Sequence, residues 1–419
     1  MNSFKKKFDN LAPKFEKGKP MHWAKSLYEG FGTFLFVPTE TSRRGVHIHD
    51  SIDMKRAMIT VVLALIPCAL FGMYNLGYQH FLVTGQLVEY GFWSRLWYGF
   101  LAFLPRFLVS YIVGLAIEFA DAQIKDEEIS EGYLVTGFLI PLIVPWSVPL
   151  WMLALAIVFS VIFAKVVFGG SGYNIFNVAL VTRAFLFFSY PSKMSGDVWV
   201  PTGRALGFGG SDQVVDGFTG ATPLGQVATW TEETAGTLTT ALGQPLTSWD
   251  MISGLMPGSI GETSIIAIAI GALILLCTGI ASWKIMVATF GGGFLTALMF
   301  NAIGATPAMT LPAWSHLMLG GFAFGAVFMA TDPVTASRTE TGKWIYGLLI
   351  GFFAICVRVL NPGYPEGMML SILLMNALAP LIDYFVVEAN VSRRTKRANK
   401  AAATVSYTHL RAHETPEHL

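Results

Sequence analysis

Charge is scarce in this sequence. Asp, Glu, Lys and Arg make up 13% of the 419 residues, where a soluble domain carries about 25%. With 53% hydrophobic residues, mean hydropathy of +0.54 and apolar runs near twenty residues, that deficit excludes an ordinary soluble domain and points to a bilayer. Cysteine is scarce too. Cys68, Cys277 and Cys356 all sit in apolar runs, and no C-x-x-C occurs. This excludes a disulfide framework and a cysteine-bound cluster within the chain and leaves three small buried hydrophobes. The eight histidines lack metal spacing. His47 and His49 share a polar segment and read as a chance pair, so no metal cluster is expected. A formal net charge of +1 names no acidic partner. No basic module or zinc-finger spacing supports a nucleic-acid partner. P-loop and nucleophile-elbow patterns are absent. The first twenty residues are basic and polar without an apolar centre, so no cleavable signal is expected.

What is present is a series of apolar segments: 57–77, 97–120, 133–145, 150–168, 178–190, 264–282, 285–304, 317–330, 345–360 and 368–387. The expected fold is an all-α polytopic integral membrane protein in contact with lipid. It has about ten transmembrane helices in two five-helix repeats of inverted topology. Segments 133–145, 178–190 and 317–330 fall short of the ~20 residues of a straight crossing. They read as broken helices lining an internal cavity. The division expected is an N-terminal arm (1–53), a first membrane half (54–190), a loop (191–262), a second half (263–388), a basic C-terminus (389–403) and a tail (404–419). That tail, TVSYTHLRAHETPEHL, changes character abruptly and resembles translated vector sequence.

Charge distribution orients the chain. The arm holds eleven Lys and Arg between Lys5 and Arg56, and Arg393, Arg394, Lys396 and Arg397 follow the last segment. The loop 191–262 carries seven carboxylates against Lys193 and Arg204. The positive-inside rule places both termini in the cytoplasm and the loop outside, five crossings away. The acidic stretch 121–131 runs against that pattern. Repetition is faint: LIVPWSVP (142–149) pairs with MATDPVTA (329–336), and GYNIFNVAL (172–180) with NPGYPEGMML (361–370). In the arm, Trp23, Leu27, Tyr28, Phe31 and Phe34 recur at roughly helical spacing. They form an amphipathic surface helix or a lid over a ligand, weakened by Gly30 and Gly32.

An isolated carboxylate at mid-bilayer costs about 2.5–3.5 kcal/mol even on lenient scales, which singles out Glu118, Asp332 and Asp383. Glu29, on the amphipathic arm, reads as solvated. For Glu118, cation coordination and solvation at the interface stand level. For Asp332 and Asp383 the residues favour coordinating a hard cation. Arg106, Arg183 and Arg358 lie within apolar segments and either pair with carboxylates or anionic cofactors or snorkel to an interface. Asn174 and Asn177, three apart, share a face if the stretch is helical. Their amides suit a flavin edge, although capping explains Asn174 on spacing alone. Finally, DGFTGATPLG (216–225) is small, polar and turn-prone, with two threonines three apart. A generic turn explains its Gly and Pro but not the D-G-x-T-G-A-T order.

That order resembles the flavinylation motif, D-x-x-S/T-G-A-T, whose last threonine is joined to FMN through a phosphoester by a flavin transferase outside the cytoplasmic membrane. The resemblance assigns the acceptor to Thr222, with Asp216, Gly217, Thr219, Gly220 and Ala221 completing the motif. SLYEG, HDSIDMKRAM, VFGGSGYNIFN, RAFLFFSYP, PGSIGE, LGGFAFGAVFMATDPV and NPGYPEGMML extend the likeness over about residues 20–400. Together they resemble the B-subunit family of bacterial Na+-translocating NADH:quinone reductases. The paralogous D subunits of Rnf complexes share the core and the flavin motif, and the SLYEG arm favours the former. The resemblance implies a translocase/oxidoreductase component of the bacterial inner membrane with covalent FMN and noncovalent riboflavin. It implies the A, C, D, E and F subunits as partners, electrons arriving from the C subunit and leaving to ubiquinone, and transport of Na+. It maps riboflavin contacts to Asn174 and Asn177, the quinone site to Gly114 and Glu118, and the Na+ path to Glu29, Glu118, Asp332 and Asp383. Leu115 and Val178 depart from the family pattern, which leaves the quinone pocket's shape and the turn after Asn177 open. The rival readings are an Rnf D subunit, a flavin-free secondary transporter and a passive scaffold.

Overall fold

The computed structural model describes residue 8, residues 10–15, residue 19, and residues 21–35, 54–125, 132–206 and 217–413. Asp216, His47 and His49 lie outside them, and so do the side chains of Glu29, Phe31 and Phe34. Among the described residues the fold is helical throughout, with one isolated bridge between Thr239 and Pro245. Among the described residues five helices are long and apolar enough to cross a membrane, and four shorter apolar helices accompany them. In lipid the backbone must satisfy its own hydrogen bonds, and a helix does so within one segment.

Helix α1 (Lys25–Leu35) belongs to the arm. It forms despite Gly30 and Gly32 because tertiary contacts hold it: Ser26 N and Oγ both donate to Gln123 Oε1 at 3.2 Å. Trp23 and Leu27 remain exposed, as an amphipathic element requires. Helices α2 (Met54–Val83) and α3 (Phe92–Lys125) form an antiparallel pair. Their backbones touch: a Cβ on Gly99 would lie 1.7 Å from Met73 O, and one on Gly77 would lie 2.0 Å from Arg95 O. Small residues permit that approach in membrane interfaces. The buried stripe of α3 runs through Ala102, Arg106, Ser110, Gly114, Glu118 and Ala122, a four-residue spacing that keeps one face inward.

The first half continues with α4 (Tyr133–Ile143), α5 (Leu150–Val161) extended by a π-turn (Ile162–Val166), and α6 (Val178–Ser189). The second contains α9 (Ile265–Cys277), α10 (Trp283–Ile303), α11 (Ala313–Met318), α12 (Phe322–Phe324) ending in a π-turn (Gly325–Met329), α13 (Glu340–Leu360) and α14 (Met368–His413). All ten apolar segments are thus helical. The segment expected at 317–330 is broken between α11 and α12, where Gly320 and Gly321 have φ of +63° and +68°. Arg358 satisfies the carbonyls freed there, donating to His316 O at 2.5 Å and Leu319 O at 3.1 Å. At the end of α4, Gly261 N donates to Leu142 O at 2.8 Å. A helix break inside the apolar core is tolerated where freed carbonyls find donors, as His316 O, Leu319 O and Leu142 O do.

The described part of the long polar loop is folded. Helices α7 (Pro223–Ala228) and α8 (Ser248–Ser253) lie within it. Leu224, Val227, Leu238, Met251 and Met256 bury against Leu311 and Leu319 of the second half. Gln226 clamps the loop from inside: Thr239 N donates to its Oε1 and its Nε2 to Thr239 O, both at 2.9 Å.

Candidate functional site

The motif loop assigns its two threonines different tasks. Thr219 is an anchor: its N–H donates to Ala241 O at 2.9 Å, and its hydroxyl donates to Asp197 Oδ1 at 3.2 Å and accepts from Ala221 N at 3.3 Å. Gly220 passes against Asp197, where a Cβ would lie 2.6 Å from the carbonyl oxygen. Gly217 holds φ of +81°, which favours glycine. Thr222 caps α7, its Oγ1 accepting from Gly225 N at 3.1 Å, with Pro223 at the first helical position. Among the described residues the Thr222 hydroxyl donates to nothing. Half-buried, it lines a cleft of about 40 Å³ with Gly225, Trp199, Phe187, Arg183 and Glu366.

Arg183 dominates the electrostatics of that cleft. Buried on α6, it donates through Nη1 to Glu262 Oε1 at 2.7 Å and through Nη2 to Glu366 Oε2. It does not snorkel. Two carboxylates share this one guanidinium, and burial outweighs what Arg183 offers Glu366, so the Glu366 carboxyl is pushed up to about 7. Burial likewise raises the neighbouring Tyr364 phenol. Arg106 is also buried, donating to Ala102 O at 2.6 Å and lying 5.8 Å from the Trp146 ring.

A second site lies between the halves. A cavity of about 150 Å³ is walled by Val61, Leu139 and Phe328 and, at its polar end, by Lys165, Asn174, Asn177 and Asp332. The condition for the two asparagines to share a helix face is not met: Asn174 is in the preceding turn, and Asn177 is the N-cap of α6. Asn177, rather than Asn174, caps: its Oδ1 accepts from Ala179 N at 3.1 Å and Leu180 N at 3.3 Å. Its Nδ2 donates to Asp332 Oδ2 at 3.4 Å. Asn174 Nδ2 donates to Phe176 O at 3.1 Å. Asp332 also accepts from Val334 N at 3.1 Å and Thr335 Oγ1 at 3.2 Å, and no basic side chain pairs with it among the described residues. An amide pair beside apolar walls fits a neutral ring system with donor and acceptor edges.

Glu118 is bound to Lys165 in a buried ion pair. The Lys165 ammonium also lies 5.9 Å from the centre of the Tyr133 ring. That ring covers Gly114: a Cβ there would lie 1.8 Å from Tyr133 Cζ. Gly114, Tyr133, Lys165 and Glu118 therefore form one chain of contacts. Asp383 lies apart. Half-buried on α14, it accepts from Ser337 Oγ and Thr339 Oγ1 at 2.6 Å and from Arg338 N and Thr339 N at 2.8 and 3.0 Å. It anchors the start of α13. Glu29 is carried on α1. Among the described residues no group of three metal-ligating side chains occurs, and all three cysteines are free.

Sequence reasoning missed Lys165, Tyr133 and the pairing of Arg183 with Glu262 and Glu366. One signal was present: Lys165 in IFAKVVF and Glu118 in GLAIEFA are lone opposite charges in separate apolar runs, and such charges tend to pair.

These features define a multi-pass helical membrane protein with ion pairs and a polar cavity in its core. The chain belongs to the NQR2, RnfD, RnfE family, whose model matches residues 41–392. It is 45% identical over 413 residues to the B subunit of the Na(+)-translocating NADH-quinone reductase of Pseudomonas paraeruginosa, covering 93% of this chain and 98% of that one. The B subunits of the same reductase from Chromohalobacter salexigens and Klebsiella pneumoniae are 43% and 42% identical, covering 93% of this chain and 95% and 98% of theirs.

Proposed function

We propose that this chain is the B subunit of a Na+-translocating NADH:quinone reductase in the bacterial inner membrane. In this reading ten segments cross the bilayer as two inverted halves, both termini are cytoplasmic, and the loop 191–262 lies outside. FMN is carried on Thr222 by a phosphoester made by a flavin transferase. Riboflavin takes the cavity at Asn174 and Asn177. Electrons come from the C subunit and leave to ubiquinone near Gly114 and Glu118, with the A, D, E and F subunits completing the complex. Na+ uses Glu29, Glu118, Asp332 and Asp383.

The observation that carries the reading is the division of labour between the threonines. Thr219 spends its hydroxyl on the loop's own structure, while Thr222 borders the cleft with no acceptor for its proton among the described residues. Relatives named for Na(+)-translocating NADH-quinone reductase support the Na+ and quinone parts of the reading. Bound flavins supply the electron-transfer chemistry, and the chain supplies position and electrostatics. Arg183, Glu262 and Glu366 hold the cleft wall. Asn177 holds both α6 and Asp332, so the cavity's polar end is fixed before a ligand enters.

The family also includes the Rnf proteins. In that alternative the purified complex exchanges electrons with ferredoxin instead of ubiquinone. The flavin assignment is tested by fluorescence in denaturing gels after expression with the transferase. Thr222→Ala loses the fluorescent band and Thr219→Ala keeps a weaker one. A band of full intensity in Thr222→Ala overturns the assignment.

A further inference from the structure

We infer that Lys165 is a tethered cation that competes with Na+ for Glu118. The inference rests on the proposal that Glu118 belongs to the Na+ path. Glu118 is buried on the inward stripe of α3 and has a partner already, the Lys165 ammonium. The ammonium holds Oε1, so a second cation that takes both oxygens of this carboxylate must displace it.

Three features make Lys165 suited to exchange. It sits in the π-turn Ile162–Val166, a widened turn of the kind found at functional positions. It borders the polar cavity, whose wall includes Asp332, a carboxylate with no basic partner among the described residues. It is also a lysine: a compact charge on a flexible four-carbon stem, where an arginine is a rigid fork.

Counting charge limits what the group can accept. With both carboxylates ionised, Glu118, Asp332 and Lys165 carry one net negative charge. One monovalent cation neutralises them. When it takes Glu118, the ammonium keeps an anionic partner by turning to Asp332 across the cavity wall, so no charge is left bare in the apolar core, where an unpaired ion is costly. The exchange moves no protons and breaks no covalent bond.

The test uses the intact purified complex, with NaCl titrated at constant ionic strength by choline chloride. Na+-dependent quinone reduction and the thermal midpoint of the complex are both read. Lys165→Met removes the competitor: half-saturating Na+ falls by at least about fivefold, the scale of a typical coupling between ligands, and NaCl raises the midpoint more than in the parent. Lys165→Arg holds Glu118 with a fork, and half-saturating Na+ rises. A Lys165→Met complex of normal flavin content whose half-saturation is unchanged or higher overturns the inference, as does a Lys165→Arg complex with unchanged half-saturation. Glu118→Gln separates the two levels. If its Na+ dependence is unaltered, Glu118 is not on the path and the underlying reading falls with the inference. If it is altered while the Lys165 variants match the parent, only the competition fails.

Discussion

Arg183 ties the first half of the chain to Glu262, the last residue of the long loop, at 2.7 Å. The arginine comes from the last helix of the first half, and its guanidinium also holds Glu366, between α13 and α14 of the second half. Removing one partner of a buried pair leaves an uncompensated charge, at a cost of about 3–5 kcal/mol. Arg183→Gln strands two carboxylates and should lower the thermal midpoint of the detergent-solubilised protein more than Arg183→Lys. Equal midpoints for Arg183→Gln and the parent would contradict the pairing.

The same cluster gives a pH dependence. Burial raises the Glu366 carboxyl from 4.5 to about 7, so the folded state holds its proton where the unfolded chain releases it. Stability from this group is complete below about 4.5 and is lost as pH rises through about 7. Melting across that window should show a falling stability that Glu366→Gln flattens.

Gly220 sits where a side chain has no room: an added Cβ would lie 2.6 Å from Asp197 O. Gly220→Ala must shift the backbone that presents Thr222. Covalent flavin incorporation, read by in-gel fluorescence, should fall severalfold. Gly217→Ala, which meets open space but holds φ of +81°, should cost about 1 kcal/mol and lower incorporation less.

Asp383 accepts four hydrogen bonds at the start of α13. An amide cannot accept on its nitrogen, so Asp383→Asn strands the Arg338 N–H that donates to Oδ2, at about 1 kcal/mol. Its midpoint should fall at saturating Na+ as well as without it. A midpoint restored fully by NaCl would assign Asp383 to ion binding alone.

Gly114 faces the Tyr133 ring at a distance that no added methyl group tolerates. Gly114→Ala should destabilise the α3–α4 contact by about 1–3 kcal/mol. Tyr133→Ala in the same chain should recover part of the loss. Additive losses in the double variant would contradict a direct contact.

The helices were legible because a long apolar run in lipid has one backbone solution. Their ends were less so. Helix α2 runs on through Gln79 and His80, polar residues buried by Asn75 and by Pro201 O, and α14 continues past Arg393 because basic residues are good helix formers. Motif and charge single out Thr222, Asn174, Asn177 and Asp332, and the structure gathers the last three around one cavity. The partners were not. Lys165 meets Glu118 across 47 residues and Asp383 meets Thr339 across 44, and such pairings depend on helix packing that local pattern does not encode.

The account depends most on the Thr222 hydroxyl. Mass spectrometry of the peptide spanning Thr222, from protein made together with its flavin transferase, tests it directly. The account predicts a peptide heavier by one FMN joined with loss of water, and no such peptide in Thr222→Ala. A peptide with the mass of its amino acids alone, beside a demonstrably active transferase, would contradict it.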